Sequence, residues 1–211
     1  MTTKRERRGE DTRRKILEVA EREFARDGYA GAHLQRIAEQ VGVQKTALYY
    51  YFPSKRDLYG AILAHMLERL DEALEETISQ PGSLEERLAQ VLDTVNDVLA
   101  EHRNYSQILI RIFVDRAPVP ENLVFPLIAR VVGRLLRFVK EGVDQGVFAR
   151  YSERNLFQTL LGVIVFHYAT DAFGAVVLDV DDIFTNDAVS WRREEVRRFV
   201  LRALLKNPPS D

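Results

Sequence analysis

The chain has 211 residues, 46% of them hydrophobic and 29% charged, with a formal net charge of −2 and no cysteine. Such an apolar fraction suffices for a packed core under a soluble surface, while the absence of thiols excludes disulfides and thiolate metal sites and fits a reducing cytoplasm. No apolar stretch follows the basic residues of Met1–Arg8, as a secretory signal would require, and the longest apolar run, Leu160–Phe166, is far short of a membrane span, so a cytoplasmic protein with no membrane partner is expected.

Taken in chain order, the pattern is helical nearly throughout. Residues 11–27 place Ile16, Leu17, Ala20 and Phe24 on one face, and Asp27-Gly28 supplies a stop. A short helix over about 33–40 turns Leu34, Ile37 and Ala38 inward, and a third covers about 44–51. Phe52-Pro53-Ser54 interrupts. Ser54 with Asp57 then opens a long helix to about Ile78, whose Leu58, Ile62, Met66, Leu70 and Leu74 recur every four residues. Pro81-Gly82 breaks the chain again, and Ser83 with Glu86 starts the next helix in the same way. Further helices are expected over about 105–116, 121–144, 153–177 and 189–206. No strand-like alternation is sustained. The expectation is an all-α fold of about nine helices: a three-helix head, a long fourth helix, and a C-terminal helical bundle, divided as residues 1–58 and 59–211.

Charge is unevenly spread. Residues 1–60 hold 13 Lys and Arg against 9 Asp and Glu, and the remainder 17 against 23. A basic head on an acidic body suits a protein that presents one end to a polyanion. Within the head, Ala38 permits the close approach of two short helices, and Gly42 fits a turn where only glycine adopts a left-handed backbone cheaply. Leu34, Ile37, Val41, Val43 and Leu48 supply the apolar positions that bury the pair. A plain helical hairpin would show similar spacing. The surface distinguishes them: Gln44, Lys45, Thr46, Tyr49, Tyr50 and Tyr51, with Lys55 beyond, carry groups that reach base edges and phosphate oxygens. Three consecutive tyrosines on so short a helix do not all fit a core.

The run from Ile37 to Leu58, Ile37-Ala38-Glu39-Gln40-Val41-Gly42-Val43 through Leu48-Tyr49-Tyr50-Tyr51-Phe52 to Ser54-Lys55-Arg56-Asp57-Leu58, resembles the signature of TetR-family regulators, the likeness covering about residues 10–58. The resemblance implies a transcription regulator, more commonly a repressor, that is a homodimer on a palindromic double-stranded operator. It further implies that Gln44, Lys45, Thr46 and Tyr50 contact bases or nearby phosphates, and that Tyr49, Tyr51 and Lys55 hold phosphates. His33 stands where family members often carry a threonine that caps the second helix and meets a phosphate. The arm Lys4-Arg5-Glu6-Arg7-Arg8 reads either as a solvated tail or as a source of phosphate or minor-groove contacts.

The body is rich in aromatics: Tyr105, Phe113, Phe125, Phe138, Phe148, Phe157, Phe166, Tyr168, Phe173 and Trp191. Such residues at helical spacing build a core or line an apolar pocket. The resemblance implies an effector site among the middle helices. A small hydrophobic effector is expected there, with Phe113, Phe125, Phe138 and Phe166 as walls and Gln107, Arg111 and His167 as polar anchors. His167 and Asp171 are one helical turn apart, yet no third ligand is near in sequence and no metal or cofactor is expected. Leu156, Leu160, Ile164 and Ala169, with Trp191, Phe199, Val200 and Leu204, mark the last two helices as a dimer interface or as intrachain packing. The chain has no phosphate loop and no Gly-x-Ser-x-Gly elbow, so an enzyme is not expected. The alternatives are a helical module that binds protein or membrane surfaces without specific DNA binding, and a helical ligand-binding or enzymatic protein with a vestigial head.

Overall fold

The computed structural model describes residues 4–115 and 117–208, and of Lys4, Arg5 and Phe113 the backbone alone. Among the described residues there are ten α-helices: α1 Lys4–Gly31, α2 Leu34–Val41, α3 Lys45–Tyr51, α4 Lys55–Ile78, α5 Leu84–Glu101, α6 Arg103–Val114, α7 Glu121–Asp144, α8 Glu153–Ala169, α9 Asp171–Leu178 and α10 Asn186–Leu204. No strand is present among them, only an isolated antiparallel bridge between Phe148 and Leu205. No single helix is long and apolar enough to cross a membrane.

The tenth helix arises because the stretch expected as one helix over 153–177 is two, α8 and α9, meeting at 89°. Thr170 breaks it. Its backbone leaves the helical region (φ −117°, ψ 49°), and its hydroxyl donates to the Phe166 carbonyl at 2.8 Å. A threonine that bonds back to its own helix competes with the backbone ladder. The Asp171 carboxylate then accepts from the Ala172 N–H at 2.8 Å and starts α9. At the other end of the chain, the basic arm is helical from Lys4 onward rather than a tail, and α1 continues past Asp27-Gly28 to Gly31 through a kink.

The chain forms two compact units. The first comprises the residues up to Met66 together with Gln107–Pro126, so it extends past residue 58; the second comprises Leu67–Ser106 and the chain from Leu127 onward. Helices α4, α6 and α7 contribute residues to both. The core of the first unit is built from Ile16, Ala20 and Phe24 of α1, Ile37 and Ala38 of α2, Leu48 of α3, and Leu58, Tyr59, Ile62 and Leu63 of α4, all essentially inaccessible to water. Tyr59 lies 4.9 Å from the Phe24 ring and 5.3 Å from that of Tyr29, centroid to centroid.

In the second unit, α5 begins at a reciprocal cap in which the Glu86 N–H donates to Ser83 Oγ and the Ser83 N–H donates to the Glu86 carboxylate. Ion pairs fasten α10 to α5, Arg193 on Asp97 at 2.6 Å and Arg197 on Asp93 at 2.9 Å. Beneath them the buried Tyr168 hydroxyl donates to Asn96 Oδ1 at 2.8 Å, so two buried polar groups satisfy each other. Phe138 and Phe148 pack edge to face in the same interior.

Candidate nucleic-acid interface

The pair α2 and α3 owes its angle to one residue. Gly42 takes a left-handed backbone (φ 79°, ψ 33°) at the end of α2. The Gly42 N–H then donates to Glu39 O at 3.1 Å and the Val43 N–H to Ala38 O at 2.9 Å, which closes the last turn and redirects the chain into α3. Leu48 anchors α3 to the core, with Leu34, Ile37 and Ala38 buried on the facing side of α2. The remaining side chains of α3 point outward.

Of the residues expected to touch DNA, His33, Gln44, Lys45, Thr46, Tyr49 and Tyr50 are exposed, and Tyr51 and Lys55 are half-buried. Tyr50 is 84% exposed, which no packing contact explains. Tyr51 meets it edge-on, ring centroids 5.2 Å apart. Lys45 lies with its ammonium 6.0 Å from the Tyr49 centroid. His33 occupies the N-cap position of α2 without bonding its backbone, leaving that helix uncapped by a side chain. Lys55 is engaged within the unit: it donates to Ala30 O at 3.2 Å, lies 5.0 Å over the Tyr29 ring, and burial lowers its pKa.

Sequence reasoning missed the device that holds α2 on α1. Glu23 is 2% exposed. One of its oxygens accepts from Arg26 at 2.7 Å and from Gln40 at 3.0 Å, and the other pairs with Arg36 at 2.8 Å. Asp27 completes the ring, with Arg26 Nε at 2.9 Å and an Arg36 Nη at 2.8 Å. The Arg26 hydrogen bond, despite a smaller opposing desolvation, holds the Asp27 carboxyl down at about 2. The signal was present in the spacing, since Glu23 falls seven residues after Ile16 on the core stripe of α1.

The second missed feature is the clasp by residues 107–126. Arg111 donates through Nε to Ala25 O and through Nη2 to Arg26 O, both at 3.0 Å, and pairs with Asp115 at 3.3 Å. It thereby satisfies carbonyls that the kink in α1 leaves open. Gly28 is favoured there by its positive φ of 70°, and a Cβ would lie 2.9 Å from the Arg111 and Asp115 side-chain ends, which would have to shift. Nearby, Arg56 donates to Val119 O at 2.8 Å.

Arg111 was expected as an anchor for an effector; it is instead a fastener of the first unit. The other expected effector residues are dispersed. Gln107, half-buried, and Phe125, exposed, lie in the first unit with Arg111. Phe138, Phe166 and His167 lie in the second, where Phe138 is a core residue flanked by Phe148 and Arg87 and Phe166 is exposed. The Phe113 side chain falls outside the described residues. Two clefts have other walls. One, of 840 Å³, lies between α1 (Glu6, Arg8, Gly9, Glu10, Thr12, Arg13) and Tyr50 and Tyr51. The other, of 320 Å³, is an apolar groove along α8 and α10 lined by Leu156, Thr159, Leu160, Phe199, Ala203 and their neighbours, with Tyr151 at one end.

His167 has a buried Nε2 with no hydrogen-bond partner. Burial first, and the charge of Arg192 second, lower its pKa from 6.5 to about 4. The unfolded chain therefore binds a proton that the folded chain refuses between those values, and stability falls as pH drops from 6.5 toward 4. A loss on the order of 2 kcal/mol is expected between pH 7 and pH 4 from this group. Urea unfolding of the parent and of His167→Gln across that range measures it: the variant should show the shallower decline, and equal declines would refute the assignment.

Comparison with known proteins agrees with this geometry. Residues 16–62, which span the core of α1 through the first two turns of α4, match the family "Bacterial regulatory proteins, tetR family". These residues form a tetR-family domain. Its sequence is 45% identical over 67 residues to the HTH-type transcriptional regulator RutR of Escherichia coli strain K12, a match covering 32% of each chain. It is 26% identical over 141 residues to the HTH-type transcriptional regulator YhgD of Bacillus subtilis, covering 65% of this chain and 70% of that one. The fold is shared with the transcriptional regulator FadR of Bacillus subtilis, solved with stearoyl-CoA, at a TM-score of 0.69 and 21% identity over 90% of this chain and 98% of FadR. The chain thus carries a tetR-type helix-turn-helix domain, and the relatives it matches are transcriptional regulators.

Proposed function

We propose that the protein is a homodimeric repressor that occupies a palindromic operator and is released from it by a small apolar effector. The observation that carries the DNA contact is the outward face of α3, where Lys45, Thr46, Tyr49 and Tyr50 stand exposed on a helix fixed by Gly42 and Leu48. Gln44, Lys45, Thr46 and Tyr50 read base edges or neighbouring phosphates; Tyr49, Tyr51, His33 and Lys55 hold backbone. In a twofold dimer the two α3 helices enter successive major grooves about 34–36 Å apart. In this reading residues 1–58 contact DNA, while effector binding and dimerisation fall to residues 59–211.

The dimer contact is drawn on α8 and α10. Phe199, 60% exposed, lines the apolar groove and Trp191 on the same helix is 55% exposed, whereas Ile164, Val200 and Leu204 of the expected set are already buried within the chain. An apolar effector is supported by the aromatic content of the second unit and by the fold itself, which in FadR accommodates stearoyl-CoA. The effector acts only through its different affinity for the DNA-competent and DNA-incompetent states. Helices α4, α6 and α7, each with residues in both units, are the covalent route for that coupling.

Selection of duplexes from fragmented genomic DNA, followed by titration at several salt concentrations, tests the reading. A palindromic site with affinity falling linearly in log salt is the expected result. Weak, sequence-blind binding without salt dependence would favour a protein-interaction module. On the selected site, Tyr49→Ala should weaken binding to all sequences about equally, by roughly 10-fold, while Lys45→Ala should relax base preference at one position of each half-site by about 1–3 kcal/mol. A competition assay over single-base site variants separates the two outcomes, and uniform losses for both variants would overturn the Lys45 role.

A further inference from the structure

We infer that the first three turns of α1, Lys4–Lys15, are a second DNA-contacting surface, one that grips the phosphate backbone flanking the bases reached by α3. The inference rests on the DNA-binding reading above and specifies where its electrostatic attachment lies.

Positive charge is concentrated at the start of α1. Residues 1–15 hold seven Lys and Arg (Lys4, Arg5, Arg7, Arg8, Arg13, Arg14, Lys15) against three acidic residues. Residues 16–60 hold six against six, and residues 107–126 two against two. The whole positive excess of the first unit therefore resides in the opening turns of α1. Elsewhere most cations are engaged within the protein: Arg26 and Arg36 with Glu23 and Asp27, Arg56 with Val119 O, and Arg111 with Ala25 O and Arg26 O, which leaves the exposed Arg22 and the half-buried Lys55, itself bonded to Ala30 O. On α3 itself the sole cation is Lys45. Attachment to duplex DNA depends on several phosphate contacts made by Lys and Arg, whose counterions are released on binding. The recognition helix and its supports offer few such cations, Lys45, Lys55 and Arg22.

Geometry places this charge beside the recognition helix. The backbone is helical from Lys4 and continuous with the rest of α1. Arg8 and Arg13 share the 840 Å³ cleft with Tyr50 and Tyr51, the last two phenols of α3. Gly9 carries no side chain at the floor of that cleft, and a Cβ there would sit 3.8 Å from the Tyr51 hydroxyl. The Arg13 guanidinium lies 5.2 Å over the Phe52 ring, directly after α3, which holds its charge at the cleft wall. Glu6 and Glu10 also line the cleft and offset part of that charge. A strand held by Tyr50 and Tyr51 thus runs within reach of Arg8 and Arg13. Phosphate contacts carry no sequence information directly, so this surface adds affinity and footprint and leaves base preference to α3.

The test uses the full-length chain and the duplex recovered by the selection above, in a long form and in a form trimmed to the selected site alone. Arg7→Gln/Arg8→Gln alters two exposed side chains, and circular dichroism confirms that helix content is kept. With the long duplex the double variant should lose about 10-fold or more in affinity at moderate salt. Its slope of log affinity against log salt should be shallower by about 0.9 for each phosphate contact removed. Its ranking of single-base site variants should be unchanged. Trimming the flanks should weaken the parent and leave the double variant nearly unaffected, and Arg7→Lys/Arg8→Lys should restore both the slope and the sensitivity to trimming. A parent that binds the selected site with a steep salt slope, alongside a double variant of identical slope and equal sensitivity to trimming, overturns this surface while leaving the DNA-binding reading intact. A parent with no salt-dependent binding to any duplex overturns both.

Discussion

A Gly60→Val chain is expected to unfold about 2–3 kcal/mol more easily than the parent, the cost of forcing bulk into a packed contact. Gly60 lies on α4 against the ring of Pro120, and a Cβ at that position would collide with the ring's Cγ and Cδ. The proline ring is tied to its own backbone and has no rotamer by which to leave. The collision therefore displaces the segment around Val119, whose carbonyl accepts from Arg56 one turn earlier on α4. Urea unfolding should show a lower midpoint at an unchanged slope. Pro120→Ala in the same chain should recover most of the loss, because neighbouring substitutions that share a contact are not additive. Additive effects of the two substitutions would show that the contact is not the cause.

A Glu23→Ala chain is expected to lose a similar amount, about 2–3 kcal/mol, and to weaken operator binding more than its distance from α3 would suggest. The carboxylate is buried and gathers Arg26, Arg36 and Gln40. Breaking a buried ion pair by removing one partner leaves the others uncompensated, although Arg26 and Arg36, 58% and 41% exposed, regain water and soften the cost. Arg36 and Gln40 belong to α2, so the loss loosens the helix on which α3 is mounted. Glu23→Gln keeps the shape and an acceptor and should fall between parent and alanine. Stability measured beside operator affinity decides the point: a stable Glu23→Ala chain with full affinity would remove the network from any functional role. The carboxylate ring also predicts an acid limit. Asp27, held at about 2, gives stability that is complete above its ordinary value of 3.8 and is lost as pH falls through 2.

The helix-turn-helix was legible because its determinants are local. Ala38, Gly42 and Leu48 lie within eleven residues, and each has a conformational or packing reason that needs no knowledge of distant chain. The same holds for the reciprocal cap at Ser83 and Glu86, and for α7, whose bounds at 121 and 144 follow from Pro120 and Gly146. Where the sequence misled, a competing local signal or a distant partner decided. Gly28 reads as a helix stop, yet the chain kinks and resumes because Arg111 arrives to donate to the open carbonyls of Ala25 and Arg26. Thr170 carries no punctuation visible among apolar neighbours, and its back-bonded hydroxyl ends α8 all the same. Arg111, Phe125 and Phe138 shared an aromatic-rich stretch with no sign of which side of a helix faces what, and the fold sends them to a clasp, an exposed face and a core.

The clasp has a consequence for how the protein is made. The DNA-contacting unit is discontinuous: the ribosome finishes its first part at Met66, but the piece that closes it, ending at Pro126, emerges 60 residues later. At about 5–20 residues per second the nascent head waits roughly 3–12 s for its closing segment. During that interval the carbonyls at the kink of α1 have only water as partners, and the α4 surface around Gly60 lies bare. A fragment cut at Met66 would be held permanently in that unfinished state. The first unit is therefore complete only in a chain that reaches Pro126, with Leu67–Ser106 lying between its two parts in sequence.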